Sequence, residues 1–122
     1  MEQILQRNQN PGIRVLVVWE PILPTDWRSP TSATLARIAD PRAEQFWDPH
    51  HLVSRELKND LVADGVPVDG HTSGGSLWDL AILYPHGTPW TTALPTPSFF
   101  GGAVVTVASP LETKLRALAA SP

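Results

Sequence analysis

Apolar residues are gathered into a few short runs along the chain, and the polar segments between them are rich in proline and glycine. Ile13 to Trp19, reading IRVLVVW, is the most continuous run. It is bounded by Asn10-Pro11-Gly12 before it and by Glu20-Pro21 after it. A β-branched run of that length between turn signals predicts a buried strand. Trp78 to Tyr84 (WDLAILY) predicts a second strand and Ala103 to Val107 (AVVTV) a third, joined by a stretch holding Pro85, Pro89, Pro95 and Pro97. The long connection suits an antiparallel pair.

A recurring device marks the middle of the chain: a short polar residue followed by proline, at Ser29-Pro30, Asp40-Pro41, Asp48-Pro49 and again at Ser109-Pro110. The side-chain oxygen can accept from free amides of a first helical turn, and proline has no amide to leave unsatisfied there. This pattern predicts helices over residues 31–38, 42–47 and 50–57. Leu35, Ile38, Phe46, Trp47, Leu52 and Val53 would then face the core. Residues 59–76, with Asp64-Gly65, Asp69-Gly70 and Gly74-Gly75, read as a long loop or weak edge ribbon. Ser109 and Glu112 form a capping box ahead of Leu111, Leu115 and Leu118, which predicts a C-terminal amphipathic helix. Met1 to Asn8 supports a short leading helix.

Strand, helical region, strand, strand, helix is an order expected of an α/β sandwich, with a small mixed sheet of three to four strands and flanking helices. The segments VLVVWEPILPTDW, FWDPHHLV, WDLAILYPHGTPW and FFGGAVVTV resemble a group of bacterial thioredoxin-like proteins of uncertain function, over Ile13 to Ala120. The resemblance implies a thioredoxin-like sandwich over residues 1–122 as a single domain. The redox members of that fold carry a Cys-x-x-Cys pair and a proline just ahead of the penultimate strand. Here there is no cysteine, and Leu77 precedes Trp78. Thiol oxidoreductase chemistry, disulfides and cysteine-based metal sites are therefore excluded.

Composition narrows the function further. Nine Lys and Arg against twelve Asp and Glu give a net charge of −3 and no basic footprint, which argues against nucleic acid as a partner. The longest apolar run is too short to cross a bilayer, and the first ten residues are polar, so the expectation is a cytoplasmic protein without a membrane partner. The glycines match no phosphate-binding loop, and Ser73 and Ser76 lack the spacing of a nucleophile elbow.

Glu20 ends a buried strand between Trp19 and Pro21, where a carboxylate is poorly hydrated. With Asp26 it forms a candidate acid/base pair, against the plainer reading that Glu20 pairs with an arginine such as Arg28, Arg37 or Arg42 or turns to solvent at the strand end. His50 and His51 follow Asp48-Pro49. Neighbours on a helix point about 100° apart and chelate one ion poorly, so no metal and no cofactor is expected. Trp27 and Trp90 lie in proline-rich loops and are candidate contact residues, together with His50 and His51.

Two readings follow from different classes: a non-redox binding or protein-interaction domain for a protein or small-molecule ligand, and a small acid/base enzyme near Glu20 and Asp26. A register question bears on partners. IRVLVVW is either the first core strand or the second, with an earlier strand and helix reduced to Met1 to Asn8. The second register leaves an open sheet edge that a homodimer would cover.

Overall fold

The computed structural model describes residues 1–23, 25, 28–73 and 75–121, the side chain of Ser73 excepted. Its described residues form four helices and six short strands, a mixed α/β architecture. The strands pair as three two-stranded ladders, where the sequence predicts one mixed sheet of three to four strands. The chain divides into two compact units, Met1–Leu52 and Val53–Pro122.

The first unit opens with α1 (Glu2–Arg7), which buries Ile4 and Leu5. Strand β1 (Val15–Trp19) pairs in parallel with β2 (Ala43–Trp47), each residue opposite the one 28 positions later. A short α2 (Ser32–Leu35) lies on the crossover, its first turn capped by the Thr31 hydroxyl, which accepts from the Thr34 amide at 3.2 Å. The predicted helix over 42–47 is therefore a strand. Asp40-Pro41 starts a turn instead of a helix: the Asp40 carboxylate accepts from the Arg42 amide at 2.9 Å, and the chain then extends along β1. Alternation in AEQFW carried that information, with Ala43, Gln45 and Trp47 on one face and Glu44 and Phe46 on the other. Phe46, Leu35 and Leu52, read as core residues, are exposed.

Arg42 fastens this unit together. Its Nε and Nη2 donate to Asp40, Nη1 donates to the Asn8 and Asn10 carbonyls, and Nη2 donates to the Leu5 carbonyl. The carbonyls of Leu5 and Asn8 lie at the end of α1, where the helix ladder runs out; the Leu5 carbonyl also accepts from the Asn8 amide at 3.2 Å. One guanidinium thus serves as the C-terminal cap of α1 and anchors it to the start of β2.

The second unit opens with α3 (Leu52–Ala63, its first residue belonging to the first unit), longer than the predicted 50–57. Its end is a two-bond cap: the Gly65 amide donates to the Val62 carbonyl and the Val66 amide to the Leu61 carbonyl, with Gly65 at φ +77°. Val66 packs back on Leu61, closing the hydrophobic contact that accompanies such caps. The core around Leu61, Val68 and Leu77 takes in Leu57, Leu80, Ile82 and Phe100. A small antiparallel ladder, β3 (Thr72–Ser73) with β4 (Ser76–Leu77), lies at the end of the segment that reads as a long loop or weak edge ribbon.

Strand β5 (Leu80–Leu83) pairs antiparallel with β6 (Phe99–Gly102), and α4 (Val104–Ala119) follows at once. AVVTV, predicted as the last strand, is instead mostly the opening of α4. The strand is FFGG, immediately before it, and Pro110 lies inside the helix. The Ser109–Glu112 capping box is absent because the helix starts earlier: the Ser109 carbonyl accepts from the Thr113 hydroxyl, and Glu112 pairs with Arg116 at 2.8 Å. The first turn of α4 has no cap from its own chain position. Asp79 supplies one from the start of β5, its Oδ1 accepting from the Val104 amide at 3.2 Å. Among the described residues no helix is long and apolar enough to cross a membrane.

Candidate functional site

Parallel pairing puts the carboxyl ends of β1 and β2 side by side, the edge at which open α/β sheets commonly place ligand sites. Glu20 follows the last residue of β1 and Asp48 the last residue of β2. The Asp48 amide donates to the Trp19 carbonyl at 2.8 Å, which extends the ladder one step and fixes the two carboxylate-bearing residues at that edge. Asp48 is buried.

After Asp48 the chain turns tightly through Pro49 and His50 to His51, whose φ of +55° is unusual for a residue with a side chain. The His51 amide donates to the Asp48 carbonyl at 3.4 Å. The turn brings His51 Nδ1 to 3.2 Å from Glu20 Oε2. The Glu20 carboxylate is nine-tenths buried and the His51 ring is largely buried beside it.

A carboxylate against Nδ1 favours the tautomer in which Nδ1 donates and Nε2 carries the lone pair. A histidine oriented by a carboxylate is an arrangement also used in proton transfer. Trp19 and Gln45 join neighbouring strands: the indole Nε1 donates to Gln45 Oε1 at 3.0 Å, while the Gln45 amide nitrogen donates to the Leu35 and Ile38 carbonyls.

Glu20 contacts His51, and Arg42, one of the arginines considered as its partner, pairs with Asp40. Asp26 and Trp27 lie outside the described residues. His50 is exposed, and its side chain makes no hydrogen bond among the described residues. Trp90 belongs to the second unit and is 53% exposed, in keeping with its place in a proline-rich loop. Among the described residues no group of three or more His, Asp or Glu side chains is placed to hold a metal ion.

Asp48-Pro49 predicts a helix start, whereas Asp48 directly follows β2 and is held beside Trp19. Its place directly after the alternating AEQFW run was the available signal. Comparison with known protein families, with characterised proteins and with solved structures finds no match to this chain.

Proposed function

We propose that this protein is a non-redox binding or protein-interaction domain of thioredoxin-like kind, and that the β1–β2 pair of its first unit carries the interaction surface. The observation behind this reading is the outer face of that pair. Leu16 is 68% exposed and Phe46 47% exposed, on the face that also holds Val18, Arg14 and Glu44. Parallel strands are ordinarily covered on both faces, so apolar side chains left in water on one of them favour a partner. Trp90 offers a separate exposed aromatic on the second unit.

The test is a fluorescence-anisotropy titration of labelled apolar and aromatic peptides against the protein. Binding that is lost in Leu16→Asp, with the melting midpoint unchanged, supports the reading. Absence of binding to the whole panel at millimolar protein overturns it.

A second reading, a small acid/base enzyme, is favoured by one observation, the 3.2 Å contact of His51 Nδ1 with Glu20 Oε2. In that reading Nε2 of His51 takes the proton and Glu20 steadies the imidazolium that forms. Hydrolysis of activated esters, followed as a function of pH in the wild type and in His51→Ala, distinguishes it. Equal rates in the two proteins exclude His51 as the base.

A further inference from the structure

Strand β1 shares its ladder with β2 through one set of backbone groups only. The Val15 amide donates to the Arg42 carbonyl at 3.0 Å, and the Trp19 carbonyl accepts from Asp48 at 2.8 Å. The inward-bonding residues are therefore Val15, Val17 and Trp19. Leu16 and Val18 direct their N–H and C=O groups to the opposite side. Among the described residues nothing hydrogen-bonds to Leu16 or Val18 across that side, and β1 has β2 as its only ladder partner.

Protein edge strands usually protect themselves with a charge, a proline or a bulge. Val15–Trp19 has none of these: it reads VLVVW and runs unbroken through its register with β2. Its sequence has the character of a central strand, and its backbone is open on one side.

We propose that this edge is the interface of a homodimer, in which β1 pairs antiparallel with β1 of a second copy about a two-fold axis at Val17. The proposal rests on the reading that the β1–β2 pair is the interaction surface, and it names the occupant. Self-pairing about Val17 sets Leu16 opposite Val18 of the second copy and Val15 opposite its Trp19, so apolar side chains meet only apolar side chains. It also runs the basic beginning of one strand, at Arg14, beside the acidic end of the other, at Glu20. Parallel self-pairing would instead set Arg14 beside Arg14.

Leu16 and Val18 would exchange both backbone bonds with their counterparts, and an isologous contact of this kind closes at two copies. The result is a four-stranded sheet in the order β2, β1, β1, β2. The exposed Leu16 and Phe46 then lie on one face continuous across both copies.

Because the chain has no cysteine, a single introduced thiol reports the register. Val17 would face its own counterpart as a non-hydrogen-bonded pair, with Cα atoms about 4.5 Å apart, inside the roughly 4.4–6.8 Å span of disulfides. Mild oxidation of Val17→Cys should give a disulfide-linked dimer in high yield. The control Val105→Cys, at a position 85% exposed and at equal concentration, should give little.

Light scattering of the wild type across a concentration series should report twice the chain mass. Leu16→Lys, an exchange at an exposed position, should raise the dimer dissociation constant at least about tenfold by placing a like-charged pair of edges together. A wild type that stays monomeric throughout, or a Val17→Cys that cross-links no faster than Val105→Cys, overturns the proposal. If the monomeric protein still binds apolar peptides through Leu16, the dimer falls and the interaction surface stands. If it binds none, both fall.

Discussion

The carboxylate of Asp40 meets the guanidinium of Arg42 in a fork, Nε to Oδ1 at 2.9 Å and Nη2 to Oδ2 at 2.6 Å. Two residues apart in sequence, they form a rigid unit whose remaining guanidinium hydrogens reach the backbone of Leu5, Asn8 and Asn10. The hydrogen bonds from the Arg42 side chain, and next the one from its backbone amide, hold the Asp40 carboxyl down at about 2.

Because the folded pKa of Asp40 lies below its ordinary value of 3.8, the stability this contact gives is present above about pH 4 and is lost as pH falls through about 2. Denaturant melts between pH 5 and pH 2 should show that acid loss in the wild type and a shallower one in Asp40→Asn. Arg42→Lys should lower the melting midpoint nearly as much as Arg42→Ala, since an ammonium cannot reproduce the fork or reach the three carbonyls together.

Glu20→Gln tests the positioning of His51. Gln retains a hydrogen-bonding side chain at the same length but removes the charge that stabilises an imidazolium. If the ester hydrolysis considered above is present, its rate should fall about 10²-fold or more in His51→Ala. In Glu20→Gln the rate should also fall, because a neutral amide no longer stabilises the imidazolium that forms. An unchanged rate would show that the contact is structural only.

Gly102→Ala should be strongly destabilising. A Cβ at this position would collide with the backbone carbonyl oxygen of Asp79, the residue whose side chain caps α4, and backbone cannot move aside as a flexible side chain can. The expected cost is about 1–3 kcal/mol, read from denaturant midpoints, because the β5–β6 register and the start of α4 must shift together. Asp79→Ala should cost less, about 1 kcal/mol, by removing the cap alone.

Tyr84 buries its hydroxyl oxygen without a hydrogen-bond partner among the described residues. Burial, and then the nearby charge of Asp60, push its pKa above the ordinary 10.0. Since it is the one tyrosine of the chain, phenolate absorbance reports it directly. Titration of the folded protein should lag that of the denatured protein. The associated stability is complete below pH 10 and is lost as pH rises through the raised folded value. Tyr84→Phe should be neutral or stabilising within about 1 kcal/mol, because it removes an unpaired buried hydroxyl.

The apolar runs revealed where β1 and the β5 region lie, since a β-branched run between turn residues has few alternatives. Glu20 was legible as a carboxylate at a strand end for the same reason: it follows such a run. The reading failed at Asp40-Pro41 and Ser109-Pro110, where one local device has several structural outcomes. At Asp40 the carboxylate bonds to the amide two residues on and makes a turn. At Ser109 the helix has already begun, and its N-terminal cap comes from Asp79, 25 residues upstream, a partner no local pattern reveals. The Glu20–His51 contact lay equally beyond reach, because it depends on β2 being a strand that ends beside β1.

The constant spacing of 28 residues between partners in β1 and β2 bears on the order in which the molecule acquires its structure. No rung of that ladder can form until the whole crossover has closed, and the helix within it spans only four residues. Helix α4 grows by contacts between residues a few positions apart, and the β5–β6 pair closes a shorter connection. Contact separation therefore predicts that the parallel pair forms after them, and only its formation brings the Glu20 carboxylate to the His51 ring.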